Sequence, residues 1–381
     1  MILVSQAIAL YIHVPFCRRR CNYCSFVSYD GREEEIPAYV AALKLELEQL
    51  SHAENVKSIY FGGGTPSLIS TDRIKDILAT VRSVFGVEKG AEITMEANPG
   101  TVDVAYLSAV RQCGVNRLSL GVQSLNNNEL KMLGRIHSAA EAREAVRSAR
   151  SAGFDNLSID LMYGLPGQTL DGWSSTLEEA AAMRPEHISL YSLTLEAGTP
   201  LQRAIDEGSL PGIDPDLCAG QYEMAGDFLA AHGYLHYEIS NWAQRGYECR
   251  HNLVYWQNLP YLGVGAAAHS FMHGHRLANT RDLDDYLSSF NSGGRAIIEM
   301  DEEISPALQL AETLILGLRL GRGVSCHDIK NRFGVDIMAQ YKLQIEEMVE
   351  VGLLERNDGH IKLTPRGRLL SNEVFWRFLP E

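Results

Sequence analysis

Between Ala9 and about Leu195, short apolar runs alternate with longer amphipathic ones, and no other feature restricts the fold so tightly. Strand-length runs fall at 10–14, 58–61, 92–97, 117–122, 157–162 and 187–193, with helical patterns at 36–50, 72–84, 104–113, 139–152 and 170–183 between them. A helix in each gap carries the chain back to the edge where the previous strand began, so the strands pair in parallel. The expected class is α/β, with residues 1–195 wound as a partial, TIM-like (βα)6 barrel. In such folds ligands gather beyond the carboxyl ends of the strands.

Beyond the first strand runs Tyr11-Ile-His-Val-Pro-Phe-Cys-Arg-Arg-Arg-Cys-Asn-Tyr-Cys-Ser-Phe26, which holds three of the seven cysteines. Cys17, Cys21 and Cys24 follow a C-x3-C-x2-C spacing that a loop, not an extended strand, turns toward one point. Thiolates gathered this way hold a metal or an iron–sulfur cluster, and three ligands on a four-iron cluster leave one iron open. Arg18, Arg19 and Arg20 are expected to lower the thiol pKa values and offset the cluster's charge. Two other readings stay open on this stretch alone. Zinc needs a fourth ligand, for which His13 stands upstream on the strand. A disulfide with a spare thiol needs an oxidising compartment, and residues 1–14 lack the length and flanks of a signal peptide. No apolar run approaches a membrane span, so a cytoplasmic, reduced setting is expected.

Further motifs fall at other strand ends. Gly62-Gly63-Gly64-Thr65-Pro66 follows the second strand, where glycines let backbone amides approach a ligand. Glu96 closes the third strand, and its carboxylate suits two ribose hydroxyls. Gln123 ends the fourth, Arg135 precedes the next helix, and Asp160 lies on the fifth. An acid on an apolar strand is costly to bury unpaired, which makes a structural Asp160–Arg135 bridge the plain alternative to a binding role.

Taken together, the cysteine loop and these strand-end residues resemble the radical S-adenosylmethionine (SAM) proteins, over about residues 9 to 290. The wording Tyr-x-His-x-Pro-Phe-Cys is similar to the oxygen-independent coproporphyrinogen III dehydrogenase group and its heme-chaperone branch. The resemblance implies a [4Fe-4S] cluster on Cys17, Cys21 and Cys24, with SAM chelating the open iron and an electron donor able to drive cleavage to a 5′-deoxyadenosyl radical. It further implies SAM contacts from Tyr11, Gly63, Gly64, Thr65, Glu96, Gln123, Arg135 and Asp160, with Tyr23 packed near the adenine.

After Leu195 the alternation breaks, and residues 196–304 read as a helical and connecting region. Six of the twelve histidines lie between His232 and His275, among several aromatic residues. Neutral imidazole ligates heme iron and aromatic walls suit a flat macrocycle, though the same residues could simply pack the region against the barrel. His251-Asn-Leu-Val-Tyr-Trp256 matches an H-N-x-x-Y-W motif of the chaperone branch, which implies heme binding with His251 as axial ligand. Cys249, two residues away, reads as an idle buried thiol.

Residues 305–381 read as a winged-helix-like α+β domain. Helices are expected at 307–318, 326–333 and 337–351, strands at 353–356 and 360–363 around Asn357-Asp358-Gly359, and a last helix from Pro365 to about Phe378. Ten Lys and Arg face ten Asp and Glu there, so no footprint for nucleic acid exists and a packing or docking role is expected. The whole-chain charge of −14 likewise argues against a polyanion binder.

Two departures separate the branches. The dehydrogenase carries a further cysteine two residues after the third, where this chain has Phe26. It also has a long segment before the cluster strand, whereas Tyr11 stands near the start here. Both imply a SAM- and cluster-binding heme chaperone that hands heme to acceptor proteins, membrane-associated cytochromes among them. Oxidative decarboxylation of coproporphyrinogen III propionates to protoporphyrinogen IX is the alternative.

Overall fold

A computed structural model describes residues 7–50, 54–291 and 293–380. Residues 1–6 of the stretch read for signal-peptide flanks lie outside it. Six parallel strands form the centre: β1 (Ile8–Val14), β2 (Asn55–Gly63), β3 (Gly86–Ala97), β4 (Arg117–Gln123), β5 (Leu157–Tyr163) and β6 (His187–Ser192). The connecting helices are α1 (Ile36–Gln49), α2 (Thr71–Val84), α3 (Val104–Cys113), the short α4 (Asn127–Met132), α5 (Ala139–Ser151) and α6 (Leu170–Ala182). Each expected run coincides with one of these strands, though β2 begins three residues and β3 six residues before its run.

Strand alternation divides the sheet into two unlike faces. One carries Leu10, Ile12, Ile59, Phe61, Met95, Leu118, Leu120, Ile159 and Ile188, which join the helices in a single apolar cluster. The other carries Tyr11, His13, Ser58, Tyr60, Thr94, Glu96, Arg117, Ser119, Gln123, Ser158, Asp160 and His187. The barrel lumen is therefore lined with polar and titratable groups, while the hydrophobic stabilisation comes from the outer layer.

Residues 196–304 do more than connect. After α7 (Pro200–Asp206) and α8 (Pro215–Ala231), β7 (Leu235–Glu238) and β8 (Asn241–Ala243) pair antiparallel beyond β6. On the opposite edge β9 (Tyr261–Val264) pairs parallel to β1, followed by antiparallel β10 (His269–Met272), β11 (His275–Asn279) and β12 (Ile298–Glu303). The result is one twelve-stranded open sheet, ordered β12-β11-β10-β9-β1-β2-β3-β4-β5-β6-β8-β7. These six strands were not expected from the sequence, because their runs are only three to six residues long. Between them α9 (Arg250–Trp256) packs against the amino ends of the strands, and α10 (Leu283–Asn291) covers α1.

The last 70-odd residues have their own core, built on Leu314, Leu318, Ile337, Ile345, Ile361, Val374 and Phe378. The helices are α11 (Pro306–Leu318), α12 (Cys326–Phe333), α13 (Ile337–Gln340), α14 (Lys342–Glu350), α15 (Pro365–Leu369) and α16 (Ser371–Phe375). Where continuous helices were expected across 337–351 and 365–378, the chain breaks at Tyr341 and Leu370. The breaks let residues on both sides reach one small core, a tertiary demand that local periodicity does not record. β14 (Leu354–Asn357) and β15 (His360–Leu363) form the wing over a two-residue turn, Asp358 and Gly359 both at positive φ, and β13 (Val324–Ser325) adds a third strand. The domain docks through Arg332, which donates to the Gln257 and Asn258 carbonyls at 2.9 and 2.6 Å, and through Arg319 stacked on Trp256.

Candidate functional site

The cysteine loop leaves β1 at Val14 and is tied down from three sides. Asn22 N–H donates to the Leu133 carbonyl at 2.9 Å and its amide to the Met132 carbonyl at 2.8 Å. Leu201 N–H donates to the Asn22 carbonyl, and Tyr29 N–H to that of Pro15. Cys17, Cys21 and Cys24 are half-buried free thiols on the wall of one cavity of about 450 Å³. Among the described residues, no three His, Cys, Asp or Glu side chains converge closely enough for one metal ion. A cubane gives each sulfur its own iron and so spaces its ligands more widely. His13 is also spent elsewhere, its ring hydrogen-bonded to Tyr11 Oη and the Val27 carbonyl, which removes the fourth ligand a zinc reading needs.

None of the three loop arginines hydrogen-bonds a sulfur, although Arg19 lines the same cavity. Arg18, Arg19 and Arg20 are exposed, and Arg18 and Arg20 bond the Gly100 and Phe26 carbonyls. The cation that reaches a sulfur is Arg135: its Nη1 lies 3.3 Å from Cys21 Sγ while Nη2 donates to the Gly121 carbonyl at 2.7 Å. Burial pushes the Cys17 thiol up, a cost that Thr65 Oγ1, donating to Sγ at 3.5 Å, only partly offsets. A thiolate there is stabilised once iron takes its charge.

The same cavity collects Tyr23, Gly63, Gly64, Thr65, Glu96, Gln123, Arg135 and Asp160, so the strand-end residues converge as the barrel requires. Gly63 sits at φ 113°, and a Cβ there would meet the His13 ring at 2.6 Å. A Cβ on Gly64 would meet the Phe16 carbonyl oxygen at 2.7 Å, so the glycine run packs directly on the cysteine loop. Glu96 accepts from Tyr60 Oη at 2.8 Å and from Gly63 N–H at 3.2 Å. Burial, with Asp160 adding to it, pushes its carboxyl up to about 7. Gln123 stands at φ 66°, where the pairing of β4 with β5 slips, a conformation that costs a non-glycine residue about 1–3 kcal/mol. The slip leaves Gln123 Oε1 buried with no hydrogen-bond partner among the described residues, as is Arg135 Nε. Orphaned polar atoms facing a cavity are what a polar ligand satisfies.

Asp160 and Arg135 form no bridge. Ser119 Oγ donates to both Asp160 oxygens at 3.1 Å and Ser158 Oγ to one at 3.2 Å, and burial pushes the carboxyl up. Those serines, and Tyr60, escaped notice in the sequence; their position on the lumen side of the strand alternation was the signal available.

Tyr11 lines a second cavity of about 510 Å³, which shares Ser25, Phe26, Gly63 and Glu96 with the first. His251 lines neither. It is 1 % exposed, with Nδ1 3.0 Å from Ser58 Oγ and Nε2 2.9 Å from Tyr255 Oη, and burial pushes its pKa down to about 3. Glu92 accepts from the backbone N–H of Arg250 and His251, fixing the start of α9 at the amino end of the barrel, away from the glycine run. Cys249 is fully buried, its thiol donating to Glu92 Oε1 at 3.6 Å and pushed up to about 12 by burial.

Comparison with known proteins identifies the family. The Radical SAM superfamily model matches residues 11–205, and the HemN C-terminal domain model residues 304–370. The chain is 36% identical over 369 residues to "Heme chaperone HemW" of Lactococcus lactis, covering 97% of this chain and 96% of that one. It is 34% identical to that of Bacillus subtilis, at 97% and 99% coverage. The mouse "Radical S-adenosyl methionine domain-containing protein 1, mitochondrial" is 35% identical at 99% and 88% coverage. Among solved structures, coproporphyrinogen III oxidase (HemN) from Escherichia coli superposes with a TM-score of 0.85, covering 98% of this chain and 90% of that one. At 23% identity that match shows a shared fold alone. Family models over both ends, and curated relatives over nearly the whole length, lead to one statement: the chain belongs to the radical SAM superfamily and, within its coproporphyrinogen III oxidase-like group, to the HemW family.

Proposed function

We propose that the chain is a heme chaperone, binding a [4Fe-4S] cluster, SAM and heme and delivering the heme to acceptor proteins. The observation that carries this reading is the 36% identity to a protein named heme chaperone HemW over 96% of that protein's length. In this reading Cys17, Cys21 and Cys24 hold the cluster, and Tyr11, Tyr23, Gly63, Gly64, Thr65, Glu96, Gln123, Arg135 and Asp160 hold SAM. Bound there, the pair supplies one-electron chemistry at the sulfonium. Phe26, 68 % exposed at the rim between the two cavities, offers no ligand and no acid. The reading accordingly omits propionate decarboxylation. The acceptors are membrane-associated cytochromes, an electron donor serves the cluster, and the chain works in the cytoplasm. No helix among the described residues is long and apolar enough to cross a membrane.

Anaerobic reconstitution with iron and sulfide, then titration with hemin and incubation with an apocytochrome, tests the proposal. Stoichiometric uptake followed by transfer is expected. Absence of uptake refutes it, and methionine and CO2 released from SAM and coproporphyrinogen III would replace it with the dehydrogenase.

A further inference from the structure

One unbroken line of hydrogen bonds crosses the lumen from the cluster-loop cavity to the start of α9. Asp160 stands at the cavity end, where it accepts from Ser158 Oγ at 3.2 Å. Ser158 Oγ lies 2.8 Å from His187 Nδ1, and His187 Nε2 lies 2.8 Å from Tyr237 Oη. Tyr237 Oη in turn accepts from the backbone N–H of Cys249, the residue at the cap of α9, at 3.3 Å. Ser158 and His187 are buried, so water does not compete for these bonds. The line ties β5, β6 and β7 to α9.

Only one order of donors gives every proton an acceptor. The Cys249 amide can only donate, so Tyr237 Oη accepts from it. Burial, with the positive charge of Arg117 adding to it, keeps the His187 imidazole neutral, with one donor and one acceptor nitrogen. With the proton on Nε2, Tyr237 Oη would accept twice and its own proton would have no acceptor among the described residues. Tyr237 therefore donates to Nε2, Nδ1–H donates to Ser158, and Ser158 donates to Asp160. Every donor points toward the carboxylate, and bonds in such a row polarise one another.

At the far end, α9 depends on the lumen for its seat. Seven residues are too few for a helix to persist unaided, and the Cys249 side chain makes no cap hydrogen bond. Its first amides are held from outside instead, by Tyr237 at Cys249 and by Glu92 at Arg250 and His251.

Resting on the reading above that Asp160 lies against SAM, we infer that His187 and Tyr237 are positioning residues linking the filling of the SAM cavity to the seating of α9, the helix that carries His251-Asn-Leu-Val-Tyr-Trp256. A cation or hydroxyl donor filling the cavity favours the ionised Asp160, the line then ends on a full charge, and the pull on the Cys249 amide strengthens. By reciprocity, holding α9 down raises the affinity for SAM by the same factor.

Amide exchange read by mass spectrometry on the intact reconstituted chain, with and without saturating SAM, tests the link. SAM should slow exchange across 249–256 about five- to tenfold. Tyr237→Phe keeps the ring and removes both of its bonds in the line. It should bind SAM no more than about tenfold more weakly and keep SAM-dependent protection at the glycine run, yet exchange equally across 249–256 with and without SAM. Ser58→Ala frees His251 Nδ1 but leaves the line whole, so it should speed exchange in both states and keep the SAM-dependent ratio. Nitrogen-15 spectra of the histidine-labelled parent should show His187 as the Nδ1–H tautomer, and with the parent's own exchange they decide the matter should Tyr237→Phe not fold. A SAM-bound parent with unchanged exchange across 249–256, a Tyr237→Phe that keeps the ratio, a Ser58→Ala that loses it, or an Nε2–H tautomer each overturns the inference. If the parent binds no SAM, the reading beneath it falls first.

Discussion

Glu96→Gln tests the electrostatics of the proposed SAM cavity most directly. The Glu96 carboxyl is pushed from an ordinary 4.5 up to about 7 by burial and by Asp160, against the opposing hydrogen bonds from Tyr60 and Gly63. At 1.36 kcal/mol per pH unit, the ionised unliganded site stores about 3 kcal/mol. The sign follows from proton counts. Between pH 4.5 and about 7 the folded protein holds a proton at Glu96 that the unfolded chain has lost, so this contribution to stability falls as pH rises through that window and is constant above it. A ligand that donates hydroxyls to the carboxylate favours the ionised form. SAM affinity should therefore rise with pH up to about 7 and then level off, with protons released on binding below that point. Each hydrogen bond to the charged group is worth about 1.5–3 kcal/mol, so Glu96→Gln should weaken SAM about 10- to 100-fold at pH 8. The assay is calorimetric titration of the reconstituted protein at pH 6, 7 and 8, in buffers of differing ionisation enthalpy, beside denaturant unfolding of both proteins. Because His13, His137 and His251 also have displaced pKa values, the parent-minus-variant difference is the quantity to read. Parent affinity that is flat from pH 6 to 8, with no proton release at pH 6, would refute the reasoning.

Four further outcomes follow from the same geometry. Gly64→Ala puts a methyl 2.7–3.0 Å from Phe16 and Val14 backbone atoms, which cannot swing aside, so it should cost about 1–3 kcal/mol in denaturant unfolding and weaken SAM binding. Cys21→Ala should abolish reconstitution of the iron–sulfur chromophore, whereas Arg135→Met should retain it with a more negative reduction potential, because the cation beside Cys21 is lost; an unchanged potential in redox titration of Arg135→Met contradicts the pairing. Arg332→Ala removes two hydrogen bonds to the 257–258 carbonyls and should raise amide exchange across 305–380 by about tenfold or more, with barrel amides unaffected.

Much of the site was legible because it is local to strand ends. Each barrel strand declares itself by its run of Val, Ile and Leu, and whatever follows its last residue must face the open end. Gly63, Glu96, Gln123 and Asp160 could thus be assembled without coordinates. The charge partners could not. Arg18, Arg19 and Arg20 adjoin the cysteines in sequence, yet all three are exposed and none bonds a sulfur, while Arg135 arrives from over a hundred residues away. Asp160, for which an arginine bridge was the alternative to a binding role, meets Ser119 on the neighbouring strand and Ser158 on its own.

By itself, then, the sequence determined the six-strand parallel order, the clustering of three cysteines in one loop and the end of the barrel where they lie, since periodicity and spacing are written along the chain. Tertiary structure alone decided what meets across it. It recruited short strands between 235 and 303 to both edges of the sheet, seated His251 in the lumen floor against Ser58, and left His269 free on a cavity wall. The reason is physical: which imidazole is buried and which is open depends on how strands distant in sequence are stacked, and neither histidine's neighbours in the chain carry that information.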